Sequence, residues 1–80
     1  MKNLIIIPAY NEQESIEKTV EDIKANAPSF DYIVVNDCSK DNTGKICSEK
    51  KYNVIHLPVN LGIGGAVQTG YLYAWKNGYE

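Results

Sequence analysis

Four consecutive aliphatic residues, Leu4-Ile5-Ile6-Ile7, run straight into Pro8-Ala9-Tyr10-Asn11-Glu12. A strand with one wet face alternates apolar and polar side chains. This run does not, so it predicts a strand covered on both faces, as in the parallel sheets of α/β folds. In open α/β sheets ligands sit beyond the carboxyl ends of the strands. Tyr10, Asn11 and Glu12 therefore fall where binding chemistry belongs.

Two further strand and helix pairs follow. Asn11 can cap a helix, with Glu14 three residues on completing a capping-box pattern, and Ile16, Val20, Ile23 and Ala27 recur at helical spacing. Glu12, Glu14, Glu17, Glu21 and Asp22 load the early turns with negative charge, which the helix dipole favours. This helix is expected to end near Asn26, before Pro28. Tyr32-Ile33-Val34-Val35 is the second strand, stopped by the turn and capping residues Asn36 to Asp41. A second helix then runs from Asp41 or a neighbour to about Lys51, Val54 to Leu57 make a third strand, and Pro58 breaks it. Asn60-Leu61-Gly62-Ile63-Gly64-Gly65 leads into a third helix, with Val67, Tyr71 and Ala74 among its apolar positions and Asn77-Gly78 as its stop. The order β-α-β-α-β-α predicts right-handed crossovers and a parallel sheet ordered 3-2-1, half of a doubly wound fold.

Eighty residues make at most one small domain, which buries only about 60% of the surface of its unfolded chain. The chain ends on Gly78-Tyr79-Glu80, directly after a helical pattern and without a closing strand, so a fragment of a longer protein is expected. The net charge is −2 and the eight basic residues, all lysine, form no stripe, which argues against nucleic acid as a partner. No apolar stretch approaches the roughly 20 residues of a membrane span, and the N-terminus lacks the apolar core of a signal peptide, so a cytoplasmic segment is expected. Cys38 and Cys47 are too few and too irregularly spaced for a disulfide scaffold or a zinc site, and two reduced thiols are expected. His56, inside Val54-Ile55-His56-Leu57, reads as an ordinary strand-side histidine.

Three loops converge at the carboxyl edge of such a sheet: Pro8 to Glu12, Asn36 to Asp41, and Asn60 to Gly65. They offer an aromatic face in Tyr10, carboxylates in Glu12, Asp37 and Asp41, and pliant backbone at Gly62, Gly64 and Gly65. A nucleotide suits that set: a base stacks on the ring, a carboxylate accepts from base N–H or ribose hydroxyls, and glycine lets backbone approach the ligand. Each residue also has a structural alternative. Tyr10 can pack at a strand end, Glu12 can serve the first helical turn, and Asp41 can cap a helix. Asp37, directly after a buried strand and before the helix, has the least need of one. Gly62-Ile63-Gly64 looks like the opening of a dinucleotide fingerprint, but Val67 takes the third glycine's place and the loop follows the third strand, not the first. Gly70, inside the last helix, implies close contact between helix and sheet.

In this order and spacing, Pro8-Ala9-Tyr10-Asn11-Glu12, Asn36-Asp37-Cys38-Ser39-Lys40-Asp41-Asn42-Thr43 and Asn60-Leu61-Gly62-Ile63-Gly64-Gly65-Ala66 resemble the N-terminal part of family 2 glycosyltransferases. The branch most similar contains the dolichyl- and polyprenyl-phosphate sugar synthases, and the resemblance covers nearly the whole chain. It implies the Rossmann-like, three-layer half of a GT-A fold and a nucleotide-diphosphate sugar as donor. Carried over by position, Pro8, Ala9 and Tyr10 would line the base, Glu12 would lie near the base or ribose, Asp37 would accept the base N–H, and Gly62 would pass close to the nucleotide. The family commonly begins its second loop with two aspartates; the first here is Asn36, which bears on donor choice.

The resemblance also implies what residues 1–80 lack. The family's metal-binding Asp-x-Asp motif lies on the strand after the helix that ends here, and the catalytic base and acceptor site lie further on. No catalytic residue and no metal ligand is therefore expected in this segment. The full-length enzyme would be an inverting glycosyltransferase using Mg or Mn, with a polyprenyl phosphate or a glycan as acceptor, at the cytoplasmic face of the membrane, and the segment alone would be inactive. The competing reading is a non-enzymatic nucleotide-binding module of the same fold. The unpaired edge of the first strand further predicts a homodimer.

Overall fold

The N-terminal aliphatic run is strand β1 (Leu4–Ala9), the edge of a three-stranded parallel sheet in a computed structural model that describes residues 3–79. Helix α1 (Ile16–Asn26), strand β2 (Asp31–Asn36), helix α2 (Thr43–Glu49), strand β3 (Val54–His56) and helix α3 (Gly62–Lys76) follow, with β2 paired to both other strands. The expected element order and strand order are both present. Glu80, the last residue of the expected open end, lies outside the described residues.

The unbroken aliphatic runs are explained by helices on both sheet faces. On one face Ile7, Ala9 and Val34 meet Ile16 and Val20 of α1, Cys47 of α2, and Tyr52. The alternate strand positions, Ile6, Ile33 and Val35, lie under α3, where Gly70 sits so close that a Cβ there would come within 2.4 Å of Ile6 Cγ2. That is the helix-to-sheet contact expected of Gly70. Burial of each fully enclosed aliphatic side chain, such as Val34 or Val35, contributes about 1.5–3 kcal/mol.

Pro8 fits β1 because of where the strand points its polar groups. The Asn3 and Ala9 carbonyls accept from Asp31 N–H and Asp37 N–H, so odd positions of β1 bond to β2 and even positions face the open edge. Pro8 therefore lacks its N–H where no ladder bond is needed.

Some element bounds and one helix face differ from the expectation. Asn11 does not cap α1 and no capping box forms with Glu14: Asn11 takes a left-handed φ of 54°, and α1 begins only at Ile16. A turn intervenes, in which the Glu12 carbonyl accepts from both Ser15 N–H and Ile16 N–H. Helix α2 starts at Thr43, next to its N-cap Asn42, and stops at Glu49 with Lys50 as C-cap, close to the expected span from Asp41 or a neighbour to about Lys51. Lys51 adopts φ 58°, with its N–H on Ser48 O and Tyr52 N–H on Cys47 O, the Schellman pattern built without glycine. Strand β3 ends at His56, one residue short of the expected Leu57, whose N–H still makes the last ladder bond, to the Asn36 carbonyl. Finally, Tyr71 is exposed, and Ala66 and Gly70 form the buried line of α3.

After α3, the Tyr79 hydroxyl donates to Asp31 Oδ2 at 2.6 Å, tying the chain back to the start of β2. That bond, with lesser contributions from desolvation and from the charge of Asp31, pushes the Tyr79 phenol up to about 12.

Candidate functional site

A cavity of about 140 Å³ opens beyond the carboxyl ends of β1 and β2, lined by Pro8, Ala9, Tyr10, Glu12 and Asp37 together with Ile63 and Ala66 of α3. Five of the six residues expected at a binding site are thus brought together. Gly62 is not among the lining residues. It opens α3 with φ 77° and its N–H on Asn60 Oδ1, and the first turn of the helix carries Ile63 and Ala66 to the cavity in its place. The sequence carried a signal for that pair: they stand three apart just after the helix start, and such residues share a helix face.

Asp37 owes its position to the sheet. Its N–H donates to the Ala9 carbonyl at 2.8 Å, continuing the ladder past β2 and bringing it beside β1. The residue is only 3% exposed, and its Oδ1 accepts from Leu61 N–H at 2.6 Å, at the N-terminus of α3. A buried carboxylate needs donors, and here among the described residues a single backbone N–H is spent on it. The helix N-terminus adds favourable partial charge. Tyr10 stands at the mouth, 40% exposed.

The first two loops are bound to each other. From the β1–α1 loop, Asn11 N–H donates to Ser39 Oγ (3.0 Å), Glu12 N–H to Thr43 Oγ1 (2.7 Å) and Gln13 N–H to Asp41 Oδ2 (3.2 Å). In return Lys40 N–H donates to Asn11 Oδ1 (2.9 Å) and Asn42 N–H to Gln13 Oε1 (3.0 Å). Asp41 is not the helix cap, a place taken by Asn42: its Oδ1 accepts from both the N–H and the hydroxyl of Thr43, while Oδ2 reaches the other loop. Partial desolvation acts to raise the Asp41 carboxyl, but the hydrogen bonds from Thr43 and Gln13 outweigh it and hold it below the usual carboxylate range.

Asn36, which stands where the resemblance places an aspartate, does not line the cavity. Its Oδ1 accepts from Ser39 N–H, and its amide nitrogen lies 3.0 Å from His56 Nδ1. His56 Nε2 in turn lies 3.3 Å from Ser48 Oγ, so both ring nitrogens brace β3 against β2 and α2. Gly44 is required beside this bracing, since a Cβ would come within 2.7 Å of the Asn36 amide nitrogen. Both cysteines are free thiols, and burial pushes Cys47 up, away from reactivity.

The cavity can hold a planar ring that carries an N–H donor, with Asp37 as acceptor, Tyr10 as aromatic wall and Ala9 and Ala66 as small walls. Cavities for whole drug-sized ligands run to about 300–1,000 Å³, so a single ring system fits inside and the rest of a larger ligand lies outside. A divalent cation does not fit the groups present. Among the described residues no three His, Cys, Asp or Glu side chains converge. Asp41, on the acidic rim with Glu12 and Glu14, has both oxygens committed to protein donors.

The profile of the family described as "Glycosyl transferase family 2" matches residues 4–76. An undecaprenyl-phosphate mannosyltransferase of Micrococcus luteus is 34% identical, the alignment covering 100% of this chain and 35% of the relative. A polyprenol monophosphomannose synthase of Mycolicibacterium smegmatis is 31% identical over 99% of this chain and 32% of its own. A dolichyl-phosphate beta-glucosyltransferase of Trichomonas vaginalis is 37% identical over 86% of this chain and 25% of its own. The chain thus spans a quarter to about a third of the length of these curated relatives.

Proposed function

The chain belongs to glycosyl transferase family 2, and from that premise we propose that it forms the nucleotide-binding part of an inverting glycosyltransferase whose donor is a UDP- or GDP-sugar. The observation that carries this reading is the convergence of Tyr10, Glu12 and Asp37, from two strand ends, on one cavity. The base enters the cavity and lies against Tyr10, and its ring N–H donates to the Asp37 carboxylate. Uracil and guanine both present such an N–H. Pro8 and Ala9 border the base, Glu12 faces base or ribose, and the ribose and diphosphate extend outward past the first turn of α3, with Gly62 near their path.

These residues bind and orient; they include no general base, and the charge that develops on a leaving diphosphate finds no counter-ion among them. The residues that transfer the sugar, and those that hold Mg or Mn, belong to the two-thirds to three-quarters of the relatives' length that this chain does not match. The 80 residues alone are accordingly inactive in transfer. Acceptor choice follows the relatives' names, so a polyprenyl phosphate is the first candidate and a glycan the second. None of the described helices is long and apolar enough to cross a membrane; the reading places this part on the cytoplasmic side, at the face of a membrane that holds such an acceptor.

Calorimetric titration with UDP and GDP tests the proposal. At least one should bind, and Asp37→Ala should weaken that binding by about 1–3 kcal/mol, the cost of an unpaired donor on the ligand. Unchanged affinity, or no binding to the parent chain, contradicts it. Among the described residues β1 pairs with β2 alone, so its even-numbered polar groups form an open edge, and the 80-residue chain is proposed to self-associate there as a symmetric dimer. A single monomeric species in sedimentation at high concentration would rule this out.

A further inference from the structure

Thr43 is fully buried, and its hydroxyl is committed on both sides: it donates to Asp41 Oδ1 at 2.6 Å and accepts from Glu12 N–H at 2.7 Å. The direction of this relay is forced. A hydroxyl has one proton, and an ionised carboxylate can only accept, so the proton goes to Asp41 and a lone pair is left for Glu12. Thr43 lies 31 residues from Glu12 in the chain, and four more hydrogen bonds tie the same two loops together. By contrast, the α3 wall of the cavity is joined to Asp37 through Leu61 N–H alone among the described hydrogen bonds.

We propose that Thr43, held by Asp41, is a positioning residue for the base cavity: its hydroxyl fixes the backbone of Glu12 and so sets the gap between the Tyr10–Glu12 wall and Asp37. The proposal rests on the nucleotide reading above and deepens it by naming residues that touch no ligand. A gap set in the free protein spares the ligand the ordering of a loop in which Asn11 sits in the sparsely populated left-handed region. The clasp closes one side of the site in advance, while the α3 side is left to adjust.

The test compares Thr43→Val, which keeps the shape and deletes the relay, with Thr43→Ser, which keeps the relay and deletes a methyl. UDP and GDP affinities are measured at matched folded fraction, with amide exchange at Glu12 and Val34 alongside. Thr43→Val, which removes both hydrogen bonds of the relay, should bind about tenfold more weakly, while Thr43→Ser stays near the parent. Glu12 N–H should lose protection in Thr43→Val and Val34 N–H should keep it. Asp41→Ala, at a less buried position, carries the same expectation should Thr43→Val not fold. Equal affinity of Thr43→Val and parent, equal weakness of Thr43→Ser and Thr43→Val, or an unchanged Glu12 amide overturns the proposal alone. A parent chain that binds neither nucleotide overturns the functional reading and this proposal with it.

Discussion

The two faces of the sheet are covered to different depths. On one, α1 and α2 pack on the strands and on each other, and Ile16, Val20, Val34 and Cys47 are wholly enclosed. On the other, α3 lies alone across β1 and β2 and turns large apolar groups outward, with Ile63 76% and Trp75 80% exposed. No charged residue occurs from Val59 through Trp75. A helix that is apolar all round belongs in an interior. The α1/α2 face is therefore where the fold is held, and the outer side of α3 contributes to it little, although the sequence of α3 is the more apolar.

That contrast can be broken most severely at Ile16. Ile16→Ala should cost about 2–5 kcal/mol in urea unfolding, because a fully enclosed side chain leaves a cavity. Trp75→Ala, although it removes the larger side chain, should stay within about 0.5 kcal/mol of the parent. A Trp75→Ala loss as large as that of Ile16→Ala would mean the outer side of α3 is packed in solution. The glycines of α3 sharpen the same contrast on a smaller scale. Gly70→Ala should destabilise by about 1–3 kcal/mol, since the new methyl overlaps branched Ile6, whose Cγ2 cannot swing away freely. Gly64→Ala meets nothing within 4 Å and should stabilise by up to about 1 kcal/mol through helix propensity. Equal effects at the two positions would erase the distinction between the inner and outer sides of this helix.

How much of this was legible in the sequence depended on the range of the interaction responsible. The first strand was readable because its aliphatic run lacks alternation, and the other two because short apolar runs end in turn residues. Of the cavity residues, Tyr10, Glu12 and Asp37 were placed by strand ends and Pro8 and Ala9 by the family resemblance, and Gly70 was placed by its cost within a helix. What escaped was settled by distant partners. Asn11 looks like a cap locally, but Lys40 N–H, 29 residues on, takes its side chain, and Asn11 N–H goes to Ser39 Oγ. Lys51 ends α2 in a left-handed turn that usually selects glycine, and Tyr52, buried with its hydroxyl on Glu21 Oε2 at 2.7 Å, holds the segment that follows in place. Asn36 reads as a change in the binding loop, yet its partner is His56 on the neighbouring strand. The resemblance puts Gly62 close to the nucleotide, and the helix expected to follow the glycine-rich loop begins within it, at Gly62.

The account depends on two strand ends and the first turn of α3 forming one site. Amide shift mapping of the labelled chain during titration with UDP and with GDP tests that most directly. The account predicts that Tyr10, Glu12, Asp37 and Ala66 move together, at one saturating concentration, for at least one nucleotide. Shifts confined to the outer groove of Ile63, Val67 and Tyr71, with Asp37 and Glu12 unmoved, would contradict it.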